Sequence, residues 1–122
     1  MCGLKTGTLS DEELKNVAST HEIEGKLRVI DVVVIDEISM ISDDILRQVD
    51  VVMKQARRSS RPFGGTQIIL VGDFLQLPPV KGNFCFQWSE FDKFIPHRVY
   101  LHKNFRCVLS ATVILFNVST HV

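Results

Sequence analysis

The sequence predicts an α/β fold, and three observations carry that prediction. An unbroken apolar run, Val32 to Ile35, ends on two adjacent carboxylates, Asp36 and Glu37. A second run, "QIILVG" over 67–72, ends in Gly-Asp, and between the two lies a stretch with apolar residues at helical spacing. Short apolar runs without alternation suit strands covered on both faces, as in a parallel sheet. Strand, helix, strand is a βαβ unit, which makes the two strands parallel and the crossover right-handed.

Each element has its own local warrant. Ser10 and Glu13 stand at capping-box spacing in "LSDEELKNVAS", which predicts a short helix from about residue 11. The following "THEIEGK" reads as a polar connection, and Val32 opens the first strand. Ser42, followed by Asp43 and Asp44, makes a good helix N-terminus. From there Ile45, Leu46, Val49, Val52, Met53 and Ala56 fall on one stripe, and the helix is expected to end near Arg58. "SSRPFGGT" is a loop by composition, and "QIILVG" is the second strand. Beyond it come a Pro-Pro loop, the aromatic segment "FCFQWSEFDKF" as loop plus short helix, and a third strand at "RVYL".

The totals bound the function. A chain of 122 residues, 45% hydrophobic and 23% charged, is the size of one globular domain. Lys+Arg and Asp+Glu are 14 each, so no global field draws it to nucleic acid or an anionic membrane, and any such binding must be argued locally. Cys2, Cys85 and Cys107 form no CxxC pair, and the histidines show no metal-ligand spacing beside them, which suits free thiols in a reducing compartment. The start has no apolar run of signal-peptide length, and "ATVILFNV" is too short to span a bilayer, so an intracellular, soluble protein is expected. The sequon Asn117-Val118-Ser119 and the terminal Thr120-His121-Val122 are short patterns that recur by chance.

In a parallel sheet the ligand crevice lies beyond the carboxyl ends of the strands. Asp36, Glu37 and Asp73 are therefore expected to converge there with Gln76. Each has an ordinary explanation taken alone, since Asp at a strand end caps the next turn and Gly-Asp is a common turn dipeptide.

Taken together, "VVVIDEISM" resembles the Walker B segment, motif II, of the Pif-type (petite integration frequency) DNA helicases, the RecD-like branch of helicase superfamily one. "PFGGTQIILVGDFLQLPPV" resembles motif III of that family with its lead-in, and "LHKNFR" resembles motif IV. The likeness runs in order from about Gly3 to Arg106. It implies a partial first RecA-like domain over 1–106, followed by a divergent apolar tail over 107–122. It also implies ATP as substrate with Mg²⁺, single-stranded or forked DNA as partner, no membrane, and genome maintenance in the nucleus or mitochondrion. Residue by residue, Asp36 is expected to hold Mg²⁺ through water and Glu37 to activate the attacking water. Gln76 is expected to sense the γ-phosphate, Arg106 to neutralise the transferring phosphoryl, and Asp73 to support the site.

The same likeness exposes a departure. The phosphate-cradling GxxxxGK[ST] loop is missing, because the one Gly-Lys pair, Gly25-Lys26, has Thr20 where the first glycine belongs and Leu27 where Ser or Thr belongs. In RecA-like sheets, as the resemblance implies, the strand leading to that loop lies between the motif III strand and "RVYL". Its loss is expected to leave two apolar edges facing a gap, which invites self-association or pairing with a partner strand. After Arg106 the chain reads "CVLSATVILFNVSTHV", almost uncharged, which suggests a truncated gene, read-through or a degraded copy. An isolated chain of this kind is expected to be inactive. Two rivals stand beside the helicase reading: a non-catalytic fragment that binds through strand edges, and a metal-dependent phosphohydrolase built on Asp36, Glu37 and Asp73.

Overall fold

The structure, a computed structural model, describes residues 9–101 and 112–116. Helix α1 spans Asp11–Ala18 and starts with the expected capping box. Ser10 Oγ accepts the Glu13 N–H at 3.3 Å, and Glu13 Oε2 accepts the Ser10 N–H at 2.9 Å. Those Ser10 donors, the backbone N–H first, hold the Glu13 carboxyl below its ordinary value.

The stretch read as a polar connection is a helix, α2, over His21–Arg28. Gly25 in its middle and the single buried residue, Leu27, hid it from a reading based on apolar periodicity. The signal that reveals it is electrostatic. Glu22 with Lys26 and Glu24 with Arg28 are i,i+4 pairs at 2.6 and 3.5 Å, with the acid N-terminal to the base.

Strand β1 is Val32–Ile35, and α3 is Asp43–Arg57, its Ser42 hydroxyl accepting the Ile45 N–H at 3.3 Å. Leu46, Val52, Met53 and Ala56 of the predicted stripe are buried. The helix ends where expected, with Arg58 in the left-handed conformation. The "SSRPFGGT" loop holds a 3₁₀ turn, Pro62–Gly65, that drives Phe63 fully into the core, its N–H donated to Asp50 Oδ1 at 2.8 Å. Strand β2 is Gln67–Gly72, α4 is Phe91–Phe94 after a 3₁₀ turn at Cys85–Gln87, and β3 is His97–Leu101. A fourth strand, β4, is Thr112–Phe116.

The sheet order is β1-β2-β4-β3. β1 and β2 are parallel, with Val33 opposite Ile68 and Ile35 opposite Leu70. β4 is antiparallel to both β2 and β3, so those two are parallel to each other. The expected gap is therefore not a gap. Residues 112–116 of the apolar tail fill it, because a strand edge left open between two apolar neighbours finds its hydrogen bonds in the nearest chain able to supply them.

Ile68 and Leu70 join Leu46, Met53, Phe63 and Phe91 in one core, with Val33 and Ile35 packed against it. Val32 and Val34 instead stay 44% and 61% exposed, which corrects the expectation that β1 is covered on both faces. The described helices pack on one another and onto that single core, and among the described residues no second layer covers the outer face of β1. No helix among them is long and apolar enough to cross a membrane.

Candidate functional site

The chain leaves β1 through Asp36 into a sharp turn. Glu37 takes the left-handed conformation, φ 52° and ψ 45°, which costs a residue with a Cβ about 1–3 kcal/mol. Neighbouring contacts hold it there. Asp36 Oδ1 accepts the Glu37 N–H at 2.8 Å, the Glu37 carbonyl accepts the Met40 N–H at 3.0 Å, and Ile38 is fully buried. The two carboxylates are thereby presented to solvent on a turn whose root is fixed in the core.

The end of β2 braces that turn from beside it. A Cβ on Gly72 would stand 2.8 Å from the Ile38 nitrogen and 3.0 Å from its Cγ2, so the strand and the turn meet backbone to backbone. Gly72→Ala is expected to push the Glu37–Ile38 peptide away and lower stability by about 1–3 kcal/mol, read as a shift in the urea midpoint. Gly-Asp was legible only as a turn dipeptide; the close approach that requires the glycine was not.

Asp73 departs from expectation. It is 3% exposed and turned inward, its Oδ1 accepting the Leu75 N–H at 2.9 Å and its carbonyl accepting the Gln76 N–H at 3.0 Å. Its Oδ2 is buried and finds no partner among the described residues. Asp36, Glu37 and Gln76 share the carboxyl edge as exposed side chains, while Asp73 shapes the loop that carries Gln76. Three acids do not converge: no group of three His, Cys, Asp or Glu able to hold a metal occurs among the described residues. Asp36 alone, exposed and with one oxygen engaged by the Glu37 N–H, suits a hard cation that keeps most of its waters.

The loop beyond Gln76 is tied back to the start of α3. Asn83 donates from its backbone N–H at 3.2 Å and from Nδ2 at 3.1 Å to the Asp43 carboxylate, and its carbonyl accepts the Asp43 N–H. Phe74, Phe84 and Phe86 cluster here, Phe84 stacked on Phe86 at 5.1 Å. Phe63 and Trp88 instead pack edge-on with Phe94. The basic residues near the end of α3 are largely engaged within the fold. Lys54 pairs with Asp50 at 2.7 Å and lies over Phe94, Arg58 pairs with Glu24 at 3.1 Å, and Arg57 donates to four backbone carbonyls.

Beneath the site, Cys85 is fully buried and its thiol reaches the Ile38 carbonyl at 3.9 Å. Burial pushes that thiol up to about 12 from 9.0. The unfolded thiol ionises first, so this group's contribution to stability is intact below about pH 9 and is lost as the pH rises toward 12. The native protein is expected to keep Cys85 unreactive toward maleimide at pH 8, labelling only after denaturation, as mass spectrometry of the Cys85 peptide will show. Cys2, Cys107 and the motif IV arginine, Arg106, lie outside the described residues.

Parallel strands with exposed carboxylates at their carboxyl edge, joined through a helix, make this a RecA-like α/β domain. The chain belongs to the PIF1-like helicase family, whose sequence profile matches residues 5–112. It is 34% identical over 103 residues to the ATP-dependent DNA helicase RRM3 of Saccharomyces cerevisiae, a match covering 79% of this chain and 14% of that protein. The crystal structure of the Pif1 helicase from Candida albicans superposes with a TM-score of 0.66 at 35% identity, over 72% of this chain and 21% of that one. The Pif1 helicase from Bacteroides in complex with ADP-AlF3 and ssDNA gives 0.57 at 27% identity, over 69% and 26%. The chain thus spans a small part of each protein it resembles.

Proposed function

We propose that residues 1–106 are part of the first RecA-like domain of an ATP-dependent DNA helicase that moves 5′ to 3′ on single-stranded DNA and opens forked duplexes. The observation that carries this reading is the Asp36-Glu37 pair. Two exposed carboxylates sit at the carboxyl end of a parallel strand, on a strained turn buttressed by Gly72 of the neighbouring strand. Strain held in place by packing at a ligand edge is a mark of a working site. Such a helicase serves genome maintenance, including repair, recombination and telomere upkeep, in the nucleus or mitochondrion.

Asp36 would hold Mg²⁺ through water, and the ion would supply positive charge against the nucleotide's phosphates. Glu37 takes the proton of the attacking water, a role typically worth about 10²–10⁴ in rate. Gln76, exposed on the loop that Asp73 folds, donates its amide to the γ-phosphate and passes its presence to the loop. Arg106 meets the charge of the transferring phosphoryl, a contribution of about 10³–10⁵ in other NTPases.

The 122-residue chain has no GxxxxGK[ST] segment and is expected to show no steady ATP turnover. A coupled phosphate-release assay on purified chain with Mg²⁺ and single-stranded DNA checks this. Turnover that disappears in Glu37→Gln would overturn the expectation and make the edge self-sufficient.

A further inference from the structure

The connection from α3 to β2 sets a pair of serines inside a basic run, Arg57-Arg58-Ser59-Ser60-Arg61. The fold treats the two hydroxyls differently. Ser59 is half-buried, and its Oγ accepts the Arg61 N–H at 3.3 Å. Ser60 is exposed, lies outside regular structure, and its hydroxyl has no hydrogen-bond partner among the described residues. The arginines differ as well. Arg57 is held by carbonyls of α2, Ile30 and Gly64, while Arg58 and Arg61, two residues before Ser60 and one after, are exposed.

Ser60 also lines a cavity of about 390 Å³ between α1 and the end of α3, whose walls carry Lys15, Lys54 and Arg58 with Asp11 and Asp50. Which charges are already matched decides what the cavity can take. Asp11 is paired with Arg47 at 2.6 Å, and Asp50 receives Lys54 at 2.7 Å and the Phe63 N–H at 2.8 Å. The Lys15 ammonium has no partner among the described residues. Arg58, its side chain 72% exposed, has Glu24 at 3.1 Å, an acid that Arg28 also approaches. The carbonyl end of α3 adds negative potential, but the Arg58 and Ser59 N–H groups donate to the Gln55 and Lys54 carbonyls there and reduce it. The acids are thus engaged with partners of their own, and two cations stand ready for an anion.

We propose that Ser60 is a phosphorylation site for an arginine-directed serine kinase, and that the cavity beside it receives the phosphate. Kinases choose substrates by the charge pattern around the acceptor, and here an accessible hydroxyl stands between two exposed guanidiniums. Ser60 Oγ forms the new bond to the γ-phosphorus of ATP as the bond to the leaving ADP oxygen breaks, and the hydroxyl proton passes to the kinase's base. The product carries about −1.5 to −2 charges at pH 7 and three strong acceptor oxygens. Set between Lys15 of α1 and Arg58 at the end of α3, it joins two helices otherwise held by the buried Leu14 and Ala18 and by the Asp11–Arg47 pair. It also draws Arg58 from Glu24, leaving that acid to Arg28. Ser60 precedes the amino end of β2, the end away from Gly72, so the modification adjusts the docking of α1 and not the Asp36-Glu37 turn.

The test incubates the purified 122-residue chain with an arginine-directed serine/threonine kinase, ATP and Mg²⁺, and maps the product by tandem mass spectrometry. Phosphate on Ser60 of the native chain is expected, absent in Ser60→Ala and retained in Ser59→Ala. Loss of the close charge contact in Arg58→Gln should slow its formation about tenfold. Hydrogen exchange then reads the receiving cavity. Amides of α1 should exchange about threefold more slowly in the phosphorylated chain than in the unmodified one, the size expected of ion pairs near the surface. That difference should vanish in phosphorylated Lys15→Ala. Phosphate carried by Ser59, incorporation only after denaturation, or unchanged α1 protection after complete phosphorylation of Ser60 would overturn the proposal. None of these readouts is turnover by this chain, so they leave Asp36 and Glu37 to be judged by their own assay.

Discussion

Glu37→Gln, in a longer protein that carries this segment together with a phosphate-binding loop, is expected to lower DNA-stimulated ATP turnover by about 10²–10⁴ while nucleotide affinity stays within a few fold. The geometry makes the test selective. The contact that fixes the turn is donated by the Glu37 backbone N–H to Asp36, so the amide side chain leaves it intact. What is lost is a group able to take a proton. Glu37→Asn adds a second arm, because Asn tolerates the left-handed conformation better than Glu. Its stability should be equal or slightly higher, with turnover equally lost. Measured kcat beside nucleotide Kd and the urea midpoint separates these effects. A kcat within about threefold of the parent in both variants would move the proton transfer elsewhere.

The pattern of what was legible follows from the range of the forces involved. The capping box at Ser10, the stripe on α3 and the parallel β1–β2 pair are written in near-neighbour chemistry, and the structure reproduces them. Strand polarity alone places the carboxylates of Asp36 and Glu37 at the carboxyl edge of the sheet, where both are exposed. Helix α2 was missed because its evidence is charge pairing and not apolar periodicity. That Asp73 faces the core, and supports the edge from beneath through the Leu75 N–H, depends on the loop that follows and is not legible in the Gly-Asp dipeptide. The identity of the strand beside β2 was beyond reach for a different reason. A gap between parallel strands states only that some apolar segment must fill it, and Thr112–Phe116 does so from far along the chain and in the opposite direction.

Arg57 shows the same limit at the level of one side chain, and it carries the largest stability effect expected here. In the sequence it belongs to a basic cluster at a helix end; in the fold it joins three elements. Nη1 stands 2.9 Å from the Arg28 and Ile30 carbonyls and 3.2 Å from that of Leu27, while Nε donates to Gly64 at 3.2 Å. The first three carbonyls belong to the end of α2 and the residues just after it, where helical acceptors have no intrahelical donor and the dipole is negative. The fourth lies in the Pro62–Gly65 turn, packed so closely on α3 that a Cβ on Gly64 would stand 2.6 Å from the Met53 carbonyl oxygen. Nη1 carries two hydrogens for three acceptors, so the contacts cannot be summed. Hydrogen bonds to a charged group are each worth about 1.5–3 kcal/mol, and the guanidinium is partly solvated, which places the loss in Arg57→Met at about 3 kcal/mol. Lys should recover less than half of it, since a single ammonium does not reach α2 and Gly64 together. Urea unfolding gives the total, and hydrogen exchange gives its location: protection should fall first in α2 and the Pro62–Gly65 turn and last in β1 and β2. A loss below about 1 kcal/mol, or uniform loss of protection, would mean that α2 is held by Leu27 and its surface ion pairs and not by Arg57.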